Sequence, residues 1–137
     1  LREDKLVLLT PDNDKYRALL EAGASGNTLL SEPLIFREIG SGTQQAVDKF
    51  LCENRIRTED IHVVARVGNS DTILRAVSQG LGVAVMSELA AKMARDVLTF
   101  PLDGKSTVRC FYMIHPKDRR LTNTAQRFRD FILSRVK

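Results

Sequence analysis

Short apolar runs alternate along the chain with segments in which apolar residues recur every three or four positions. The apolar runs stop at Pro, Gly, Asn or Asp, which is typical of buried β-strands that end in turns. They predict strands at residues 5–10, 34–36, 61–67, 82–86, 97–100 and 108–114. The strand at 97–100 is expected at a sheet edge, because Pro101 follows it and cannot donate to a ladder.

The segments between these strands carry helical periodicity. The clearest helix follows Ser41, which together with Gln44 fits an S-x-x-Q capping box. Its apolar stripe comprises Ala46, Val47, Phe50 and Leu51. Shorter helices are predicted near residues 16–20, after Ser70 and after Ser87, and a last helix is predicted after Thr122. Residues 23–31 are predicted to form a loop.

Strands and helices that alternate at this spacing predict an α/β fold: an open, mostly parallel sheet with flanking helices. The run at 82–86 is apolar throughout, as parallel strands buried on both faces are. The sequence contains no internal repeat. With 137 residues, the chain suits one compact domain, or one lobe and a piece of another.

Composition narrows the class of protein. The hydrophobic fraction is 43% and the charged fraction 28%, which excludes disorder, collagen and coiled coil. No apolar run approaches the roughly 18 residues of a membrane span, so no membrane partner is expected. The opening, residues 1–5, is charged and no long hydrophobic stretch follows it, so no signal peptide is predicted. Because the chain does not begin with Met, we expect a fragment or a processed product.

The net charge of +4 is distributed unevenly. Residues 1–104 carry 12 basic and 15 acidic side chains, whereas residues 105–137 carry 9 and 2. A basic tail can indicate nucleic-acid binding. Here the basic residues lie toward the end of a predicted helix, where cations are favoured, and no glycine-rich arm accompanies them. We therefore expect no direct DNA contact from this segment.

The chain offers few groups for catalysis or metal binding. Cys52 and Cys110 are far apart, lie in apolar surroundings and predict buried, reduced thiols. Without a CxxC motif or a histidine cluster, no metal and no cofactor are expected. His62 and His115 have no evident nucleophile or carboxylate partner in the sequence. The sequence therefore predicts no enzyme.

Residues 38–44, EIGSGTQ, form the most informative segment. They follow a buried strand and open a helix, so they lie at the carboxyl end of a strand, where open α/β sheets bind ligands. Glycines allow close approach to the backbone, and the N–H groups of a first helical turn attract anions. This pattern predicts a site for a carboxylate, sulfate or phosphate. The alternative is a capped tight turn without a ligand, and the residue pattern leaves both open.

Two further strand-to-helix turns carry hydroxyl groups, at residues 68–70 and at 86–87. If the strands are parallel, all three turns meet at one edge of the sheet. No Gly-Lys-Ser/Thr follows the glycines, so the segment is not a P-loop, and the third glycine of the dinucleotide fingerprint is missing. The candidate ligand-binding residues are Gly40, Ser41, Gly42, Thr43, Gln44, Gly68, Asn69, Ser70, Met86 and Ser87.

The order of these motifs resembles a known family. Residues 33–43 (PLIFREIGSGT), 67–70 (VGNS) and 76–86 (AVSQGLGVAVM) are similar to the effector-binding domain of LysR-type transcriptional regulators. The turn at Asp118 and Arg119 and the helix after it match the way those proteins end. The resemblance implies one lobe of a type 2 periplasmic-binding-protein-like domain, a three-layer fold, together with a strand and helix of the other lobe.

The same resemblance divides the chain in two. Residues 1–106 would be a crossing strand and the second effector-binding lobe, and residues 107–137 would return to the first lobe. The winged helix-turn-helix and most of the first lobe are absent from this sequence, so DNA would be bound only by an absent N-terminal domain. Residues 103–105, Asp-Gly-Lys, offer a hinge through which the C-terminal segment could swap between copies.

The resemblance thus implies a cytoplasmic, effector-sensing and oligomerising module without catalysis. Its implied partners are a small, anionic effector and further copies of the protein, as dimer or tetramer. Two alternatives stay open at this stage: a lobe of an ABC-transporter solute-binding protein for a small anion, and a small anion-dependent enzyme. The effector, the regulated genes and the direction of the response are not specified by the sequence.

Overall fold

The structure, a computed structural model, describes residues 2–136. Leu1 and Lys137, the ends of the predicted crossing strand and of the last helix segment, lie outside the described residues. The strands are β1 Arg2–Pro11, β2 Leu34–Arg37, β3 Val63–Val67, β4 Ala84–Ser87, β5 Val97–Pro101 and β6 Val108–Phe111. The α-helices are α1 Asp14–Glu21, α2 Gly42–Glu53, α3 Ser70–Ser78, α4 Glu88–Ala91 and α5 Asn123–Arg135.

One strand runs against all the others in the sheet. β1 pairs antiparallel with β4, β5 and β6 in a four-stranded sheet, whereas β2 pairs parallel with β3 in a two-stranded sheet. An isolated parallel bridge between Leu34 and Val83, the residue before β4, links the two sheets. Strands antiparallel to a common neighbour are parallel to each other, so β2 to β6 share one direction. The predicted mostly parallel sheet is therefore confirmed for these strands and wrong for β1.

Helices cover both faces of the sheet. Successive side chains of β1 point to opposite faces, so its apolar residues contribute to two separate cores. Leu6 and Leu8 pack in a core with side chains of α1 and α2. Val7 and Leu9 pack in a second core with side chains of α3 and α4. The predicted α/β class and its three layers are confirmed.

β1 also connects two parts of the chain. Its second half pairs with β4 and β5 inside the sheet, while residues 2–5 pair with β6 over residues 108–111. α5 follows β6, and none of its residues is buried. The C-terminal strand and helix are therefore tied to the rest of the chain mainly through the first residues of β1.

The connection before β6 is fastened to the sheet domain by two asparagine side chains. Asn27 bonds the backbone N–H and carbonyl of Asp103, each over 2.9 Å. Asn54 bonds both backbone groups of Lys105, each over 2.8 Å. These reciprocal bonds hold residues 103–105, which are expected to act as a hinge, at both ends.

Two local predictions are corrected as well. Residues 23–31 are not wholly loop, since a short 3₁₀-helix spans Gly26–Leu29 behind the Ser25 cap. Cys52 and Cys110 are unbridged, as predicted, but both are exposed rather than buried. Cys52 lies on the outer side of α2, beside the apolar stripe, and Cys110 lies on β6, where the burial pattern is mostly exposed.

Candidate functional site

The first predicted turn lies where β2 passes into α2. Gly40 adopts φ +97°, a conformation that favours glycine, and turns the chain after the strand. Ser41 is the N-cap of α2, and its hydroxyl accepts a hydrogen bond from the Gln44 N–H over 3.4 Å. Among residues 2–136, no hydrogen bond takes the N–H of Gly42 or Thr43. The first turn of α2 therefore presents unused donors.

Gln44 does not complete the predicted capping box. Its Oε1 accepts from the backbone N–H of Arg37 over 2.9 Å, and its Nε2 donates to Asp48 over 2.8 Å. The Ser41 N–H, which a capping box would satisfy, donates instead to the carbonyl of Glu38. The capping box is wrong because the last N–H of β2 competes for the amide oxygen. Gln44 is buried and fastens α2 to β2.

The second predicted turn lies where β3 passes into α3. Its cap is Asn69, whose Oδ1 accepts from the Thr72 N–H over 3.1 Å, so the expectation that Ser70 caps this helix is wrong. Ser70 is the first residue of α3, and its hydroxyl accepts a bond from Arg37 Nη1 over 2.8 Å. Arg37 thereby joins the end of β2 to the start of α3.

The third predicted turn, at Met86 and Ser87, lies where β4 passes into α4. Both residues are buried, and Ser87 caps α4 through a 3.3 Å bond from the Ala90 N–H. The Leu89 N–H donates to the carboxylate of Asp4 over 3.3 Å. The short helix therefore begins with both a hydroxyl and a buried carboxylate at its N-terminus.

Arg109 links this third turn to the first. Its Nε donates to Asp4 over 2.9 Å, and its Nη2 lies 3.5 Å from the Thr43 hydroxyl on α2. The two arginines, Arg37 and Arg109, thus connect the starts of α2, α3 and α4. All three helices follow strands that run in one direction, so their N-termini lie at one edge of the sheet.

Each of the two arginines also carries a carboxylate partner. Both oxygens of Glu38 accept from Arg37, over 2.8 and 3.0 Å, and Arg109 pairs with Asp4. Hydrogen bonding to Arg37 holds the pKa of Glu38 below its ordinary value. Each arginine is thus balanced by its own carboxylate, and the N-termini of α2 and α3 add positive potential to the site.

The glycines keep the edge open. A Cβ added at Gly40, Gly42 or Gly68 would meet no atom within 4 Å. Gly40, Gly42, Gly68 and Asn69 are exposed, whereas Ser41, Gln44, Met86 and Ser87 are buried. Of the ten predicted residues, the four exposed ones lie at the surface of the turns, the four buried ones fix the helix starts, and Thr43 and Ser70 are half-buried.

Three functional candidates were missed by sequence reasoning: Arg37, Asp4 and Arg109. Arg37 stands directly after the apolar run of β2, and that position was the signal that could have identified it. Asp4 and Arg109 are 105 positions apart and meet only because β1 and β6 pair in this register. No local pattern carries that information.

The described part of the chain holds neither a metal-binding cluster nor a membrane-spanning helix. Residues 2–136 contain no cluster of three or more His, Cys, Asp or Glu side chains suited to a metal ion. No helix in the same range is long and apolar enough to cross a membrane. His62 and His115 are exposed, and His115 Nδ1 lies 3.2 Å from the carbonyl of Pro116.

Comparison with curated proteins finds transcriptional regulators. An uncharacterised HTH-type transcriptional regulator of Methanocaldococcus jannaschii is 34% identical over 95% of this chain and 44% of its own length. The HTH-type transcriptional activator CmpR of Synechocystis is 31% identical over 96% of this chain and 43% of its own length. This chain thus spans about two-fifths of the length of these relatives.

Solved structures share the fold. The regulatory domain of Synechocystis CcmR in complex with 2-PG superposes with a TM-score of 0.80 at 23% identity, over 98% of this chain and 64% of that one. The effector-binding domain of QuiR in complex with shikimate also gives 0.80, at 18% identity, over 98% and 62%. The predicted effector-domain fold is confirmed.

The family follows from a match along the whole sequence. Residues 1–137 match the family described as LysR substrate binding domain. The relatives named above are regulators rather than transport proteins or enzymes. This chain belongs to the LysR substrate-binding domain family.

Proposed function

We propose that this chain is the ligand-sensing part of a LysR-type transcriptional regulator and that a small anionic effector binds at the edge formed by α2, α3 and α4. The observation that carries the proposal is the meeting of three helix N-termini, joined by Arg37 and Arg109. The first turn of α2 leaves the N–H groups of Gly42 and Thr43 available to an anion.

The chemistry of the site favours a carboxylate or an inorganic oxyanion. Backbone N–H groups and hydroxyls donate to oxygen, and a helix N-terminus favours negative charge. Among proteins of the same fold, QuiR is solved with shikimate and BenM with benzoate, which are both carboxylates. The ligand contacts proposed here are the N–H groups of Gly42 and Thr43 and the side chains of Thr43 and Asn69.

The whole protein would contain more than this chain. We infer that residues 1–106 form a crossing strand and the second lobe, and that residues 107–137 complete the first lobe. The absence of any buried residue on α5 supports this division, because a helix with exposed aromatic residues needs a further surface to pack on. The effector would then lie between two lobes.

DNA binding and assembly follow from the same proposal. A separate N-terminal domain would contact DNA, and the regulator would act in the cytoplasm as a homo-oligomer. Ligand binding would alter how the oligomer holds its DNA, and the domain would perform no catalysis. The transporter alternative lacks support, because the matched curated relatives are transcriptional regulators.

A substitution at Gly42 tests the site directly. Gly42 is the first residue of α2, and Ser41 before it has φ −61° and ψ 133°, which a following proline requires. Gly42→Pro would therefore keep the helix while it removes one N–H donor. We expect binding of benzoate, shikimate, sulfate or phosphate to the full-length regulator to weaken about tenfold, since hydrogen bonds to charged groups contribute about 1.5–3 kcal/mol.

The controls separate the donor from the backbone change. Gly42→Ala retains the N–H, and Asn123→Pro makes the same substitution at the first position of α5, where Thr122 has φ −61° and ψ 158°. In titration calorimetry, Asn123→Pro should bind the probes as the wild type does, and Gly42→Ala should bind them more tightly than Gly42→Pro. Equal affinity for the wild type and Gly42→Pro, or no binding of any probe by the wild type, would refute the proposed site.

A further inference from the structure

We propose that Arg109 determines the specificity of this ligand site for carboxylates and that Asp4 is the residue that positions it. The inference rests on the proposed function and concerns two residues outside the predicted set. Asp4 and Arg109 are direct partners in the antiparallel pairing of β1 and β6. Asp4 lies near the start of β1, and Arg109 lies on β6, the last strand of the chain.

Asp4 is a buried charge with both oxygens occupied. Its side chain is 0% exposed, while that of Arg109 is 21% exposed. One carboxylate oxygen accepts from Arg109 Nε over 2.9 Å, and the other accepts from the Leu89 N–H over 3.3 Å. Because the Asp4 carboxylate is buried and bonded through both oxygens, its position is fixed. Asp4 therefore fixes the orientation of the Arg109 guanidinium.

Arg109 keeps donors that these contacts do not use. A guanidinium has five N–H groups, and Nε is committed to Asp4. The contact of Nη2 with the Thr43 hydroxyl is 3.5 Å long, beyond the usual 2.7–3.2 Å of an N–H···O bond. The group also lies over the Phe111 ring, 5.0 Å from its centroid. The guanidinium of Arg109 is therefore held beside the first turn of α2, and its Nη groups make no strong hydrogen bond within the described residues.

This arrangement suits a ligand with two oxygens on one edge. The fork of a guanidinium matches a carboxylate bidentately, whereas an amide of the same shape offers one acceptor and a repelled donor. Arg109 would thus distinguish a carboxylate from its amide, while Gly42 and Thr43 bind the anion as such. Asp4 acts through Arg109 and does not itself contact the ligand.

The test compares affinities for a carboxylate and its amide in the full-length regulator. Probe pairs are benzoate with benzamide and shikimate with its amide, measured by titration calorimetry. We expect the wild type to prefer the carboxylate at least tenfold. Arg109→Gln should reduce this preference to near one, and Arg109→Lys should restore only part of it, because lysine keeps the charge without the fork.

Asp4→Asn should reduce the preference as Arg109→Gln does, although the arginine is retained. The double variant should bind no worse than Arg109→Gln, since the two residues act as a unit. Arg57→Lys is the control, because Arg57 forms an exposed pair with Asp60 outside the site. A purely structural role for Asp4 would lower stability, or affinity for both probes alike, and leave the preference unchanged.

The outcomes separate the two proposals. If the wild type binds no anion, the proposed function fails and this inference fails with it. If the wild type binds a carboxylate and Arg109→Gln keeps the same preference, the inference fails and the proposed function stands. If Asp4→Asn does not fold, Arg109→Lys provides the test. A carboxylate preference equal to that of the wild type would show that the two-pronged geometry of the guanidinium does not matter, and the inference would fail.

Discussion

At the scale of single residues, the sequence indicates which polar groups are important but not which partners they choose. Ser41 was predicted as the cap of α2 from its type and position, and the structure confirms it. Gln44 was expected to complete a capping box, yet its amide bonds Arg37 and Asp48 instead of the Ser41 backbone. A capping box can be recognised from neighbouring residues alone. The need of the Arg37 N–H for an acceptor depends on the pairing of β2 in the sheet, which no neighbouring residue reveals.

Gln44 should therefore contribute to stability. Gln44→Met preserves the side-chain size but leaves the Arg37 N–H at the end of a buried strand without its acceptor. We expect the free energy of unfolding to fall by about 1–3 kcal/mol, the cost of an unsatisfied buried donor. Urea denaturation measures it.

Gln45→Met is the matched control, since the neighbouring side chain on the same helix is exposed. It should change stability by less than about 0.5 kcal/mol. Equal losses in the two variants would mean that the bond between Gln44 and Arg37 contributes nothing to the fold.

The ion pair of Arg37 and Glu38 predicts a titration behaviour. Since the folded-state pKa of Glu38 lies below its ordinary value, the pair stabilises the fold above the unfolded-state pKa. That stabilisation is lost as the pH falls through the folded-state pKa. Carbon-13 NMR should show the Glu38 pKa rising toward its ordinary value in Arg37→Gln. The pKa of Asp12, lowered by Arg17, should not move, and an unchanged Glu38 would contradict the assignment.

At the scale of elements, strand and helix positions were largely predictable because apolar periodicity is a local signal. The strand that begins at Arg2 was predicted too short, since its first residues are charged. Their pairing with β6 is a contact between the two ends of the chain, and no local pattern reports it. The direction of β1 was missed for the same reason: an apolar run does not show which way a strand is paired.

The connection before β6 gives a test at this scale. Gly104 has φ +115°, and an added Cβ would lie 2.0 Å from Asn54 Oδ1, which is held by the Lys105 N–H. Gly104→Ala must therefore strain the backbone and also break the Asn54 bonds. Gly23→Ala, at φ +77° with open space, meets the backbone strain alone, about 1–2 kcal/mol.

Thermal unfolding of both variants should show a clearly larger loss for Gly104→Ala. The difference measures how firmly Asn54 fastens the segment that leads into β6. Losses of equal size would indicate that residues 103–105 move as the free hinge that the sequence suggested.

At the scale of the whole molecule, the family and the sheet edge were within reach of the sequence, but the complete site was not. Parallel strands bring their carboxyl ends together, so three turns far apart in sequence could be assigned to one edge. Arg109 reaches that edge from β6, which among the described residues pairs only with the first residues of β1. Its role depends on how the C-terminal segment returns, which is a property of the assembled chain.

The C-terminal segment should also determine how the chain behaves alone. Its exposed apolar side chains are Val108, Phe111, Tyr112, Ile114, Phe128, Phe131 and Leu133. Burial of each such side chain is worth on the order of 1.5–3 kcal/mol, and patches of this kind mark contact surfaces. We expect the isolated 137-residue chain to self-associate, with a mass by light scattering that rises above 15.4 kDa with concentration.

Substitutions on α5 identify the surface responsible. Phe128 and Phe131 are 61% and 54% exposed, so Phe128→Gln with Phe131→Gln should leave the fold intact and lower the mass toward 15.4 kDa. Arg127→Gln, a change of an exposed polar residue on the same helix, should leave the mass as it is. A wild-type chain that stays monomeric at every concentration, with α5 ordered and packed on nothing, would contradict the assignment of residues 107–137 to a second lobe. The apolar face would then need no partner, and the division of this chain into parts of two lobes would lose its physical basis.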